Sequence, residues 1–182
     1  MSAEAEIERI LRERAALLAS RALTAATREV VARVIAVRRG RSVLALPILA
    51  VDEVREARIT RLPHRSRHVC GLFQLRGEVI GLVDLAPFYG PTEELRHGEI
   101  VLAVVVRAAQ GRMGLRVDEV LGPRVIHTDE LDTSHRPHDR EHDHVAHELV
   151  AHVTRDCTEI LDIDRLFASE ALRLEANHER EA

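Results

Sequence analysis

Residues 46–89 read LPILAVDEVREARITRLPHRSRHVCGLFQLRGEVIGLVDLAPFY. Three strand-length runs stand inside this stretch, at 50–57, 69–75 and 78–83. The last two are apolar enough to be core strands, and Leu75-Arg76-Gly77-Glu78 joins them as a tight turn. Gly77 carries no Cβ and accepts positive φ without a clash, which leaves Arg76 displayed at the tip. Too little chain separates the runs for intervening helices. A doubly wound sheet needs a helix between successive parallel strands, so these runs point instead to a small β-barrel.

The same texture extends in both directions. Val30, Val31, Val34, Ile35 and Val37 form a β-branched run, Arg39-Gly40-Arg41-Ser42 turns the chain, and Val43-Leu44-Ala45-Leu46 starts the return strand. Pro47 then removes a backbone donor, which predicts an edge or a bulge for that strand. Further strands are predicted at 99–107, 111–118 and 120–126, with Gln110-Gly111 turning between two of them, and a last one near 158–163. Asp84 to Tyr89 reads as a short helix capped by Asp84 and stopped at Gly90-Pro91. Residues 91–98 read as a crossing loop, 127–148 as a long polar loop, and a helix is predicted from about Asp164. At the other end, Ile7, Leu11, Ala15, Leu18 and Ala22 fall on one face of a helix over 3–27, with Ser2 as its N-cap and Glu8–Arg12 as an i,i+4 pair. That stripe packs either on its own domain or on a partner.

Composition narrows the function. With 26 Lys and Arg against 30 Asp and Glu the formal charge is −4, so no basic surface for nucleic acid is expected. Aromatic residues make up 2% of the 182, with no Trp, so the core must be built from Val, Leu, Ile and Ala. Bases or sugars would find few rings to stack on. Charges interrupt the N-terminal apolar residues, which speaks against a signal peptide, and no uncharged run has the length of a membrane span. Cys70 and Cys157 make no disulfide framework, and a cytoplasmic location is expected.

Several segments, in consistent order, resemble the CheW-like domains of bacterial chemotaxis coupling proteins. They are Ile48-Leu49-Ala50-Val51-Asp52-Glu53-Val54, Ile59-Thr60-Arg61-Leu62-Pro63, Val69-Cys70-Gly71-Leu72, Gln74-Leu75-Arg76-Gly77 and Val79-Ile80-Gly81-Leu82-Val83-Asp84-Leu85. Met113-Gly114-Leu115-Arg116-Val117-Asp118-Glu119-Val120 and Ile160 to Phe167 continue the similarity more weakly. The resemblance implies a mainly β fold of two small SH3-like five-stranded barrels side by side, here with an N-terminal and a C-terminal helix. It divides the chain into an extension over 1–27, a CheW-like domain over 28–168, and a helix end and tail over 169–182. It implies no catalysis and no cofactor. Its partners would be the regulatory domain of a CheA-type histidine kinase and the cytoplasmic tip of a methyl-accepting chemoreceptor, bound without membrane insertion by a chain that is monomeric when isolated. On matching positions, Val51, Glu53, Leu75 and Arg76 are the receptor-facing candidates, Val51 as an apolar anchor and Glu53 and Arg76 as orienting charges. Plain core for Val51, a solvated strand position for Glu53 and an intradomain salt bridge for Arg76 are the competing readings. Kinase contact points only to the region 113–120. Three features depart from the family pattern: Ala45-Leu46-Pro47 where a glycine is usual, Gly81 where a proline is usual, and the N-terminal extension.

One rival comes from histidine density. Residues 127–152 contain His127, His135, His138, His142, His144, His147 and His152. His142-x-His144 and His144-x-x-His147 are ligand-like spacings, so a metal-binding or metal-sensing module using His142, His144 and His147 is the alternative function. Enzyme signatures are missing: G-x-S-x-G, the P-loop and H-E-x-x-H do not occur.

Overall fold

A computed structural model of the chain describes residues 29–62, 68–88, 95–133 and 148–172. Within them, β-branched and leucine-rich runs pair into two five-stranded sheets. The strands are β1 (Val30–Arg39), β2 (Ser42–Pro47), β3 (Val51–Arg58), β4 (Val69–Leu75), β5 (Glu78–Val83), β6 (Ile100–Ala108), β7 (Gly111–Val117), β8 (Glu119–His127), β9 (Val150–Val153) and β10 (Thr158–Leu161). The first sheet runs β8-β1-β2-β10-β9 and the second β3-β6-β7-β5-β4. The two ends of the described chain thus build one sheet, and its middle builds the other.

Each sheet curls until its edges meet. In the second, Thr60 just beyond β3 bridges Leu72 of β4 through two 2.8 Å backbone hydrogen bonds. In the first, Leu131 beyond β8 bridges Thr154 beyond β9. Closure of this kind removes exposed edges that would otherwise recruit other strands. Gly71 makes the first closure feasible: its φ is +151°, and a Cβ there would stand 2.4 Å from the Thr60 carbonyl oxygen.

Alternation along the strands builds three apolar clusters. Ala103 and Val105 of β6 face the interior of the second sheet with Phe73, Leu75 and Ile80. Val104 and Val106 face the seam between the sheets with Val37, Leu44, Leu46 and Leu161. All four β6 residues are fully buried, which is why the run reads as continuously apolar. Val34, Ala45, Ile126 and Ile160 fill the first sheet. Burying a valine side chain contributes about 1.5–3 kcal/mol, so the seam is a large part of what holds the sheets together.

Charge joins the sheets as well. Arg39, ending β1, grips Asp84 after β5 with both ends of its fork, Nε to Oδ1 at 2.8 Å and Nη2 to Oδ2 at 2.5 Å. Arg116 of β7 reaches the same Oδ2 at 3.2 Å, and Asp118 takes Arg39 Nη1 at 2.7 Å. Side-chain exposure is 10% at Arg39, 3% at Asp84 and 12% at Arg116, so these charges depend on one another. The hydrogen bond to Asp84 raises the Arg39 guanidinium above its ordinary pKa despite its burial.

Three expectations change. Pro47 does not mark an edge strand: β2 is internal, and Pro47 stands at its end, where it faces Val34 after pairing with β10 has stopped at Ala45. The polar stretch 127–148 is not loop throughout, since His127 closes β8, Thr128–Glu130 forms a 3-10 turn and Leu131 bridges Thr154. β9, with His152 in it, was not anticipated, because Val150–Val153 is too short and polar to carry a clear period. The 84–89 segment is a 3-10 turn at Ala86–Phe88, with Asp84 Oδ1 accepting from the Ala86 amide at 2.9 Å. The C-terminal helix α1 (Ile163–Ala168) is capped by Asp162, whose carboxylate accepts from the Arg165 amide at 3.0 Å, and a 3-10 turn follows at Glu170–Leu172. The predicted N-terminal helix lies outside the described residues. Among the described residues no helix is long and apolar enough to cross a membrane.

Candidate partner-binding site

The 3-10 turn Ile48–Ala50 carries the chain from β2 in one sheet to β3 in the other. Val51 follows at the seam, half-buried and packed with Ala50 against the cluster between the sheets. An apolar anchor and a core residue are therefore the same thing at this position. Strand period alone would put Glu53 on the face of Val51, two residues away. The ladder prevents that: Val51 pairs with Val106 but Glu53 pairs with Val105, so Asp52 is the extra residue of a bulge. Val106 looks into the seam and Val105 into the second sheet, so the bulge turns Glu53 to the side of β3 opposite Val51.

That turn brings Glu53 to Arg76. Leu75 pairs with Glu78, so Arg76 and Gly77 form a two-residue hairpin loop, with φ of +50° and +90°. Positive φ at both central positions is the requirement of a type I′ turn. Arg76 is one of two non-glycine described residues with positive φ, and a left-handed conformation costs an L-residue about 1–2 kcal/mol. Arg76 Nη2 lies 2.5 Å from Glu53 Oε2, with the Arg76 side chain 79% exposed and that of Glu53 21%. The intradomain salt bridge is thus present, and one end of the guanidinium fork makes it. Arg55 Nη1 stands 3.5 Å from the other Glu53 oxygen. Leu75 is different: it is buried in the interior of the second sheet, where it anchors the base of the turn.

A second ionic group borders the first. Asp52, pushed out by the bulge, takes Arg107 Nε at 3.0 Å and Arg112 Nε at 2.8 Å, and Arg112 Nη1 donates to Glu78 at 2.8 Å. In the adjoining sequence Ile48, Leu49, Val54 and Val79 are exposed. Val54 was not singled out from sequence, although its alternation with Glu53 was a usable signal. Asp52, Arg107 and Arg112 could not have been grouped that way, because their meeting depends on strand register. In the 113–120 region, Leu115 and Val117 are buried in the seam, and Asp118 and Glu119 are at the surface.

His142, His144 and His147 lie outside the described residues. Among the described residues no group of three or more His, Cys, Asp or Glu could hold a metal ion. Cys70 is partly buried, and Cys157 is exposed in the turn between β9 and β10 with φ +62°.

A family profile described as CheW-like domain matches residues 33–171. Among similar solved structures is the scaffolding protein TtCheW from Thermoanaerobacter tengcongensis, with 20% sequence identity and a TM-score of 0.62. That match covers 79% of this chain and 97% of the other. No curated protein matches the chain.

Proposed function

Because this chain belongs to the CheW-like domain family, we propose that it is a non-catalytic adaptor that couples chemoreceptors to a CheA-type histidine kinase. The 28–168 domain is the working unit in this reading, acting in the cytoplasm as two SH3-like barrels. The observation that carries the site assignment is the Glu53–Arg76 pair. A charged pair held by a bulge on one side and a strained turn on the other is a poor investment if its only role is stability, since exposed ion pairs contribute about 0–1 kcal/mol. It is well suited to setting the register of a partner. Arg76 keeps donors for a carboxylate or carbonyl on the receptor tip, while Glu53 holds the guanidinium in place. Val51 offers the apolar edge of the seam, and Leu75 acts from below by fixing the turn.

The deciding experiment is a titration of the purified protein against a receptor-tip hairpin and a kinase regulatory domain from the same genome, with wild type and Arg76→Ala. Saturable binding to both, with receptor binding weakened at least tenfold by the substitution, is the expected result. No binding to either at concentrations well above micromolar would overturn the adaptor role.

A further inference from the structure

Gly81 lies inside β5, where neither backbone nor packing asks for a glycine. Of the described glycines, all but Gly81 and Gly114 have positive φ, and a Cβ on Gly114 would stand 2.5 Å from Phe73 Cε1. A Cβ on Gly81 would meet nothing within 4 Å. The pairing of β5 with β4 runs unbroken from Leu82 to Glu78, so Gly81 marks no bulge. A glycine inside a strand weakens it relative to alanine, because the unfolded chain is freer and no side chain packs. With bulge, positive φ and crowding all absent, the use left for such a glycine is close approach by another molecule.

Register shows what surrounds that position. Ile80 and Leu82 face the interior of the second sheet, so Gly81 faces outward with Val79 and Val83. Leu72 pairs with Gly81 on one side, and the pairing of Leu82 with Gly114 sets Met113 next to Gly81 on the other. Met113 pairs with Val106, and Val106 with Val51. One outward row therefore crosses all five strands as Leu72, Gly81, Met113, Val106 and Val51, and its last three members pack in the seam cluster. The row leads from the candidate site at Val51 to a gap. There Met113 and Leu72 stand about 10 Å apart, two strand spacings, with no side chain between them. Along β5 the gap opens past Val79, which is 69% exposed, toward the turn that displays Arg76. Both edges of β5 are paired, so an incoming strand finds no free backbone there. No aromatic ring stands in the row to hold a proline-rich segment. Insertion of an apolar side chain from a helix is the recognition mode that remains.

We propose that the recess at Gly81 receives one large apolar side chain, of leucine or phenylalanine size, from a helix of the receptor tip. The side chain sits between Met113 and Leu72, while Arg76 holds the same helix beyond the start of β5. The identity of the partner rests on the adaptor reading. The test titrates a receptor-tip hairpin from the same genome with full-length wild type and Gly81→Leu, alongside urea melts of both. Open space at Gly81 admits the leucine, so a urea midpoint no lower than that of wild type is expected. Affinity for the tip is expected to fall at least about tenfold. A lower midpoint would show that the recess is not open, and a smaller affinity loss would show that it is not filled. Either result overturns this inference and leaves the adaptor reading standing. No binding of the tip by wild type would overturn receptor coupling, and this inference with it. Alanine substitution along the apolar face of the tip helix supplies a second measurement. One residue should cost at least about tenfold on truncation against wild type and under about threefold against Gly81→Leu, which identifies it as the seated side chain. If no residue couples to Gly81 in this way, insertion is refuted.

Discussion

Glu53 and Arg76 are joined at 2.5 Å because a bulge at Asp52 rotates one toward the hairpin tip that displays the other. The pair allows binding to be separated from folding. Asn tolerates the left-handed conformation better than Arg, so Arg76→Asn keeps the two-residue turn while deleting the guanidinium. Its unfolding free energy is expected within about 1 kcal/mol of wild type in urea melts. Affinity for the receptor tip is expected to fall at least tenfold in a parallel titration. Equal loss in both measurements would show that the turn, not the guanidinium, is what matters.

Asp84 holds two arginines from different strands at the seam. Asp84→Asn preserves shape but leaves Arg39 and Arg116 buried beside a neutral amide. Breaking a buried pair in this way costs about 3–5 kcal/mol, a large share of the stability of a domain this size. Urea denaturation should register that loss. Arg39→Met, which removes the more deeply engaged cation instead of its counter-charge, should cost less.

At Gly71 the cause is space and backbone together. Any Cβ meets the Thr60 carbonyl at 2.4 Å and the Ile59 side chain at 2.8 Å, and φ is +151°. Gly71→Ala must therefore push apart the bridge that closes the second sheet. A loss of about 1–3 kcal/mol is expected from overpacking alone. The melting temperature should drop, with faster amide exchange at Thr60 and Leu72. Unaltered exchange there would refute the closing role.

Acid should weaken the first sheet in a predictable window. Burial pushes the Asp156 carboxyl up, but hydrogen bonds from the Thr154 hydroxyl and the Arg124 guanidinium outweigh it and hold the group down to about 2. Glu130 is lowered by the same Arg124, against some burial. Both folded values lie below the unfolded ones. The stabilisation is therefore complete above the ordinary carboxylate range and is lost as pH falls toward about 2. Asp156 is 55% exposed at its side chain, so after screening the contribution is under about 1 kcal/mol. Asp156→Asn should flatten the dependence of the urea midpoint between about pH 4 and pH 2, and added salt should do the same to wild type.

Local information determined a good deal of this protein by itself. Strand positions follow from β-branched runs whose period and length are written in consecutive residues, and the tip at Arg76-Gly77 follows from one glycine. The ordered motifs from Ile48 to Leu85 carry the family, and with it the two-sheet architecture. What they could not carry is any relation between residues distant in the chain. The grip of Arg39 on Asp84, the grouping of Asp52 with Arg107 and Arg112, and the completion of the first sheet by β9 all depend on register and closure. Register is decided when whole faces are buried at once. Glu53 makes the distinction sharp. A period of two would put it on the face of Val51, and only the ladder against β6 inserted the bulge that aimed it at Arg76. Leu75 divides in the same way, legible as part of the motif but assigned to the core only when β4 curled against β5 and β6. Sequence specified which segments become strands because that choice is local. Tertiary structure decided which charges meet, because that depends on how two closed sheets share one seam.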